Sequence, residues 1–125
     1  MHALRNAHRL LVPQGMLVDM HPTMPNARLV AEGRDLGPIH QEEWARRWLR
    51  PAEREMARAV RSGLFTPLAD LAFRVVSYYD DPEELVEEAD EWGDEWISTR
   101  VRKRIRRARP PVERHERVVL RTYRT

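Results

Sequence analysis

Asp19 and His21 come nearest to reaction chemistry. In Met16-Leu17-Val18-Asp19-Met20-His21 the two-residue repeat of an extended strand puts Leu17, Asp19 and His21 on one side and Met16, Val18 and Met20 on the other. A carboxylate that orients an imidazole is a minimal acid/base pair, and the same groups make two-thirds of a metal site, with His40 as a distant third partner. No HExxH or similar spacing accompanies them. Hydrogen bonding to the loop backbone around Pro22 is the simpler account of both residues. His2, His8 and His115 stand alone, and surface positions suffice for them.

Two further groups have binding chemistry. Trp44 with Trp48, and Trp92 with Trp96, are spaced one helical turn apart, and Tyr78-Tyr79 adds aromatic surface. A cavity lined by them would take an apolar or planar ligand, whereas stripes at this spacing more commonly form core or a subunit interface. The run from Arg100 to Arg109 holds seven basic side chains in ten residues, among them Arg102, Lys103, Arg104, Arg106 and Arg107. Such a helix would neutralise several phosphates of a nucleic acid. Val101, Ile105 and Ala108 also give it an apolar face, and the ten carboxylates between Asp80 and Glu95 compete for its arginines. Acidic start and basic finish is the order that the helix dipole favours.

Composition narrows the classes. The 125 residues suit one domain, 1–125. No cysteine is present, which removes disulfides and thiolate metal sites and fits a reducing compartment. Apolar runs fall well short of the roughly 18 residues of a membrane span, and no signal-peptide pattern opens the chain; a soluble, cytoplasmic protein without membrane contact is expected. Charge is separated along the chain although the net charge is only +2, and 21 of the 22 basic residues are arginine, the side chain suited to bidentate pairing with carboxylate or phosphate.

These groups need a scaffold. Ala3, Leu4, Ala7, Leu10 and Leu11 share one helical face, and Val12-Pro13-Gln14-Gly15 turns the chain into the strand at Met16. After the prolines of 22–26, Arg28 to Ala31 and Leu36 to His40 form a hairpin around Glu32-Gly33-Arg34-Asp35. Helical spacing from Gln41, with Trp44, Trp48 and Leu49 on one side, ends or restarts at Pro51. A second helix to Ser62 turns Ala52, Met56, Ala59 and Val60 inward. Leu71 to Tyr79 is a strand by its aromatic and β-branched content. Asp81 caps a long helix that Gly93 bends or divides, with Leu85, Ala89, Trp92 and Trp96 on one face. Pro110-Pro111 ends it, and Val112 to Tyr123 is a closing strand.

The passage Leu4-Arg5-Asn6-Ala7-His8-Arg9-Leu10-Leu11-Val12-Pro13-Gln14-Gly15 resembles the segment before the fifth strand of class I S-adenosylmethionine-dependent methyltransferases. It departs from that pattern at Gln14, where glycine is common. The resemblance implies an α/β fold, an α+β-like fragment: the C-terminal half of such a domain, with a small mixed sheet of about three strands, an added hairpin and three to five helices. The fifth, sixth and seventh strands would be Met16 to His21, Leu71 to Tyr79 and Glu116 to Tyr123, the last antiparallel between the other two. The family holds its cofactor with a glycine-rich turn after the first strand. The five glycines here, Gly15, Gly33, Gly37, Gly63 and Gly93, form no such cluster, so no catalytic, cofactor-binding or metal residue is assigned. Three functions stay open: an oligomeric interaction or structural protein, favoured because the Met16 to His21 strand lacks the fourth-strand neighbour of its family counterpart; a subunit of a split methyltransferase that gains S-adenosylmethionine only when a separately encoded N-terminal half completes it; and a basic-helix nucleic-acid-binding protein.

Overall fold

A computed structural model describes residues 1–23 and 26–125. The chain runs α1 (His2–Leu10), β1 (Met16–Pro22), β2 (Arg28–Ala31), β3 (Arg34–Pro38), β4 (His40–Gln41), α2 (Glu43–Arg61), β5 (Thr66–Tyr79), α3 (Pro82–Glu91), β6 (Glu95–Trp96), α4 (Thr99–Arg107) and β7 (Val112–Arg124).

β7 organises a five-stranded sheet. One of its sides pairs with β5 along nearly its whole length, from Thr66 opposite Arg124 to Tyr79 opposite Val112. The other side is shared by β1, from Met16 opposite Arg124 to Pro22 opposite Val118, and by β2, from Arg28 opposite His115 to Ala31 opposite Val112. β3 adds to β2 as a hairpin. Every ladder is antiparallel, so the expected mixed sheet is corrected to an antiparallel one. β1 and β5 run in the same direction only because both oppose β7, and β7 lies between them.

The hairpin turns through Glu32 (φ 50°) and Gly33 (φ 71°), the positive-φ pair that a two-residue turn matched to strand twist needs. Its second strand therefore starts at Arg34, two residues earlier than the sequence suggests, and His40 belongs to β4 instead. Gly37 is required by packing and by its backbone: at φ 138° an added Cβ would stand 2.4 Å from Val101 Cγ2 of α4.

Helices cover the sheet unevenly. α3 and α4 pack over β2, β3 and the start of β7, burying Leu29, Ala31, Ile39, Leu85, Val86, Ala89, Ile97, Val101, Ile105 and Val112 with Ala27. α1 and α2 lie on the opposite face at the other end of β7, around Ala59, Phe65 and Tyr123, with Leu4, Leu11, Leu17 and Met56 against them. Opposite faces follow from strand parity, since Val112 and Tyr123 are an odd number of residues apart.

Three helical expectations are corrected. Pro51 does not divide the helix after Gln41: α2 is continuous. Proline removes the bond to the carbonyl of Arg47, and both residues are exposed, where water serves that carbonyl. Of the two outcomes open at Gly93 the helix is divided there: Asp81 caps α3 through the backbone N–H of Glu83 at 2.9 Å, and Ser98 caps α4 through that of Val101 at 3.2 Å. Trp96 stands in β6 between them, so Trp92 and Trp96 do not share a helical face. Inward residues also differ, because Leu10 is 84% exposed and Ala52 is exposed as well.

Candidate functional site

Strand parity brings Asp19 and His21 together as the alternation of β1 requires. His21 Nδ1 lies 3.2 Å from Asp19 Oδ1. The third partner is Glu53 of α2, whose Oε1 is 3.7 Å from His21 Nε2, and His40 is not involved: its ring stacks on Trp96 at 4.2 Å. Glu53 also lies 3.5 Å from Arg121 Nη1, and Arg121 Nε donates to Asp70 at 3.3 Å. A chain of carboxylates, imidazole and guanidinium thus ties β1, α2, β7 and β5 together. The sequence offered no signal for Glu53, since it sits on an exposed turn of α2 that reaches β1 only through tertiary packing.

The arrangement clamps β1 to α2. Both imidazole nitrogens of His21 face carboxylates, Asp19 within hydrogen-bond distance of Nδ1 and Glu53 beyond it at Nε2. Among the described residues no group of three or more His, Cys, Asp or Glu side chains could hold a metal ion. An apolar cleft of about 460 Å³ adjoins the clamp, between Met1, Leu4 and Leu17 on one side and Leu49, Ala52 and Met56 on the other. At its rim the Met1 ammonium meets Glu55 at 2.5 Å and holds that carboxyl below its ordinary value.

The other aromatic candidates separate. Trp44 and Trp48 flank a second cleft near Asp94 and Glu95 and are 54% and 71% exposed, so they are not core. Ala45 and Leu49, not the tryptophans, form the inward stripe of this part of α2. Tyr79 and Tyr78 stand far along the sheet, opposite Val112 and Glu113; Tyr79 donates its hydroxyl to Glu88 at 3.4 Å and burial pushes its phenol up, while Tyr78 is 63% exposed.

In α4 much of the basic run is already engaged. Arg102 pairs with Asp90 at 2.7 Å, Arg106 donates through Nε and Nη2 to the two carboxylate oxygens of Glu83, each at 3.1 Å, and Arg104 donates to the Leu36 carbonyl at 3.0 Å. Arg100, Lys103 and Arg107 enter no ion pair among the described residues.

The most extensive feature is apolar. On the β7 face where α3 and α4 cover Val112, nothing among the described residues covers the far end: Met20, Leu120 and Leu71 stand in register across β1, β7 and β5. Met16 and Val18 extend this row along β1, and Phe73 and Val75 along β5, with exposures from 36% to 62%. β1 is also an edge strand, with β7 on one side and no strand on the other among the described residues. Scattered apolar residues are ordinary on a surface, whereas these form a contiguous face beside an open edge.

The glycines do not build a nucleoside cradle. Gly33 turns the hairpin, Gly37 lets α4 approach β3, and Gly15 closes the turn before β1, its N–H donating to Val12 O at 2.7 Å. Gln14 takes φ 62°, which explains why glycine suits that position. No helix among the described residues is long and apolar enough to cross a membrane. No family model, curated protein or solved structure matches the chain.

Proposed function

We propose that this chain is a methyltransferase-like half domain that works as an interaction module, its open sheet completed by a second copy of itself. The observation that carries this reading is the uncovered row Met20, Leu120 and Leu71 beside the unpaired edge of β1. Pairing at that edge sets Met16, Val18 and Met20 of β1 against the same side chains of the second copy, and removing apolar surface from water stabilises an assembly by roughly 25 cal/mol per Å². A second copy suits the edge because antiparallel pairing of β1 with its own symmetry mate continues the pattern of every ladder in the sheet. A twofold axis also closes the assembly, with the β5 edge of each copy left outermost. The order β1, β7, β5, with β7 antiparallel to both, supports the kinship suggested by the residues before β1.

Sedimentation equilibrium at micromolar concentrations tests the reading. The wild-type chain is expected to be a dimer, and Met20→Glu with Leu71→Glu is expected to be a monomer with unchanged far-ultraviolet circular dichroism. A monomeric wild type, or a double variant that still dimerises, overturns it.

A second reading uses the same edge: a separate polypeptide bearing the glycine-rich turn pairs with β1 and completes a methyltransferase. The glycine placement of this chain favours it over catalysis by the chain alone. Calorimetric titration with S-adenosylmethionine is expected to give no heat with this chain and to give heat only once such a partner is added; heat from the lone chain contradicts both readings. For nucleic-acid binding through α4, Arg100, Lys103 and Arg107 enter no internal hydrogen bond or ion pair among the described residues while Arg102, Arg104 and Arg106 do, which makes this the weakest of the three.

A further inference from the structure

We infer that the cleft beside the first turns of α2 binds the methylated or quaternary ammonium group of an organic cation. Trp44 and Trp48 on α2 stand over a cleft of about 330 Å³, floored by apolar residues such as Ile39 and Leu49 and walled by Asp94, Glu95 and Glu116. Three carboxylates line it, and no lysine or arginine does so among the described residues; Arg46 and Arg47 of the same helix line a neighbouring cleft toward His21.

The acidic wall is built rather than incidental. β4 and β6 pair His40 with Trp96 and Gln41 with Glu95, and the Glu42 N–H donates to the Asp94 carbonyl at 2.8 Å. The loop carrying Asp94 and Glu95 is thereby fixed beside the first turn of α2. Behind it Arg114, only 16% exposed, holds Glu95 at 2.9 Å and Glu116 at 3.0 Å, with its guanidinium 5.4 Å from the Trp92 ring. One guanidinium against three carboxylates leaves the cleft negative, and Asp94 enters no ion pair among the described residues.

Ligand class follows from that chemistry. Indole faces attract cations most when the cation is weakly hydrated, as an alkylated ammonium is, and the carboxylates supply the compensating charge without needing a donor. A primary ammonium keeps a tight hydration shell, an anion is repelled, and a neutral apolar molecule leaves the charge unanswered. The volume suits a small head group. Trp48, 71% exposed, leaves one side open for whatever the ammonium is attached to.

Isothermal titration of the full chain tests this with choline, with its uncharged isostere 3,3-dimethylbutan-1-ol, and with a short peptide containing trimethyllysine. Choline is expected to bind saturably and the isostere about tenfold more weakly. Trp48→Ala and Asp94→Asn are each expected to weaken choline about tenfold, while Trp48→Phe, which keeps a ring, retains most of the affinity. Tighter binding of the peptide than of choline identifies a protein-borne cation; equal or weaker binding identifies a free one. Failure of choline and peptide to saturate at millimolar concentration, equal binding of the isostere, or indifference to Asp94→Asn overturns the inference. Leu71→Glu, on β5 and outside the lining of the cleft, is expected to leave choline binding intact, which keeps this result separable from the oligomeric state.

Discussion

The two ends of one sheet are built to different degrees of completion. At the end where β7 begins, α3, α4 and the β2–β3 hairpin enclose eleven buried residues, among them Leu29, Leu85, Ile105 and Val112 at 0% exposure. At the end where β7 finishes, one face has α1 and α2 around Ala59, Phe65 and Tyr123, and the other leaves Met20, Leu71 and Phe73 open. The same alternating strands thus pass from a closed core to a half-closed one. The first region supplies most of the buried core, and the second is where the proposed association would add burial.

Substitutions separate the two ends. Ile105→Ala empties a site with 0% exposure and is expected to cost about 2–5 kcal/mol in denaturant unfolding. Leu71→Ala, at a position 57% exposed, is expected to cost under about 0.5 kcal/mol in the dilute monomer. Equal losses would erase the distinction. Gly37→Ala brings a methyl group against Val101 Cγ2 at a positive φ, and about 1–3 kcal/mol of destabilisation is expected. Adding Val101→Ala should recover only the steric part of that loss, which a double-mutant cycle measures. Ser98→Ala removes the cap of α4 and should cost about 1 kcal/mol, visible as a lowered melting temperature.

The smallest effect is electrostatic. The Arg28 guanidinium bonded to Asp35 holds that carboxyl below its ordinary value of 3.8, although partial burial opposes it. The folded state therefore favours the carboxylate. Its contribution is present above pH 3.8 and is lost as the pH falls through the lowered folded value. Asp35 is half exposed, so Asp35→Asn should flatten the acid limb of a stability-versus-pH curve only slightly.

Much of the scaffold was legible because it is written in local chemistry. Asp81-Pro82 announces a helix start, Glu32-Gly33 a turn, and the alternation through Asp19 and His21 gives their shared side. The misreadings have physical reasons. Pro51 predicts a break when helix rules treat the interior proline by itself, whereas solvent exposure lets the helix continue through it. The segment around Trp96 keeps helical spacing but pairs with His40, a contact invisible to local pattern. The tryptophans of α2 mimic a core stripe, yet the small Ala45 beside them is the residue that faces inward. Glu53 and Arg121 could not be foreseen, since the clamp exists only once α2 lies across the sheet.

Amide hydrogen exchange of β1 as a function of protein concentration tests the central claim most directly. The β1 N–H groups that point away from β7 are expected to exchange fast in dilute solution and to become protected as concentration rises, while those of β7 stay protected throughout. Exchange of the outward β1 amides that is independent of concentration would contradict the account.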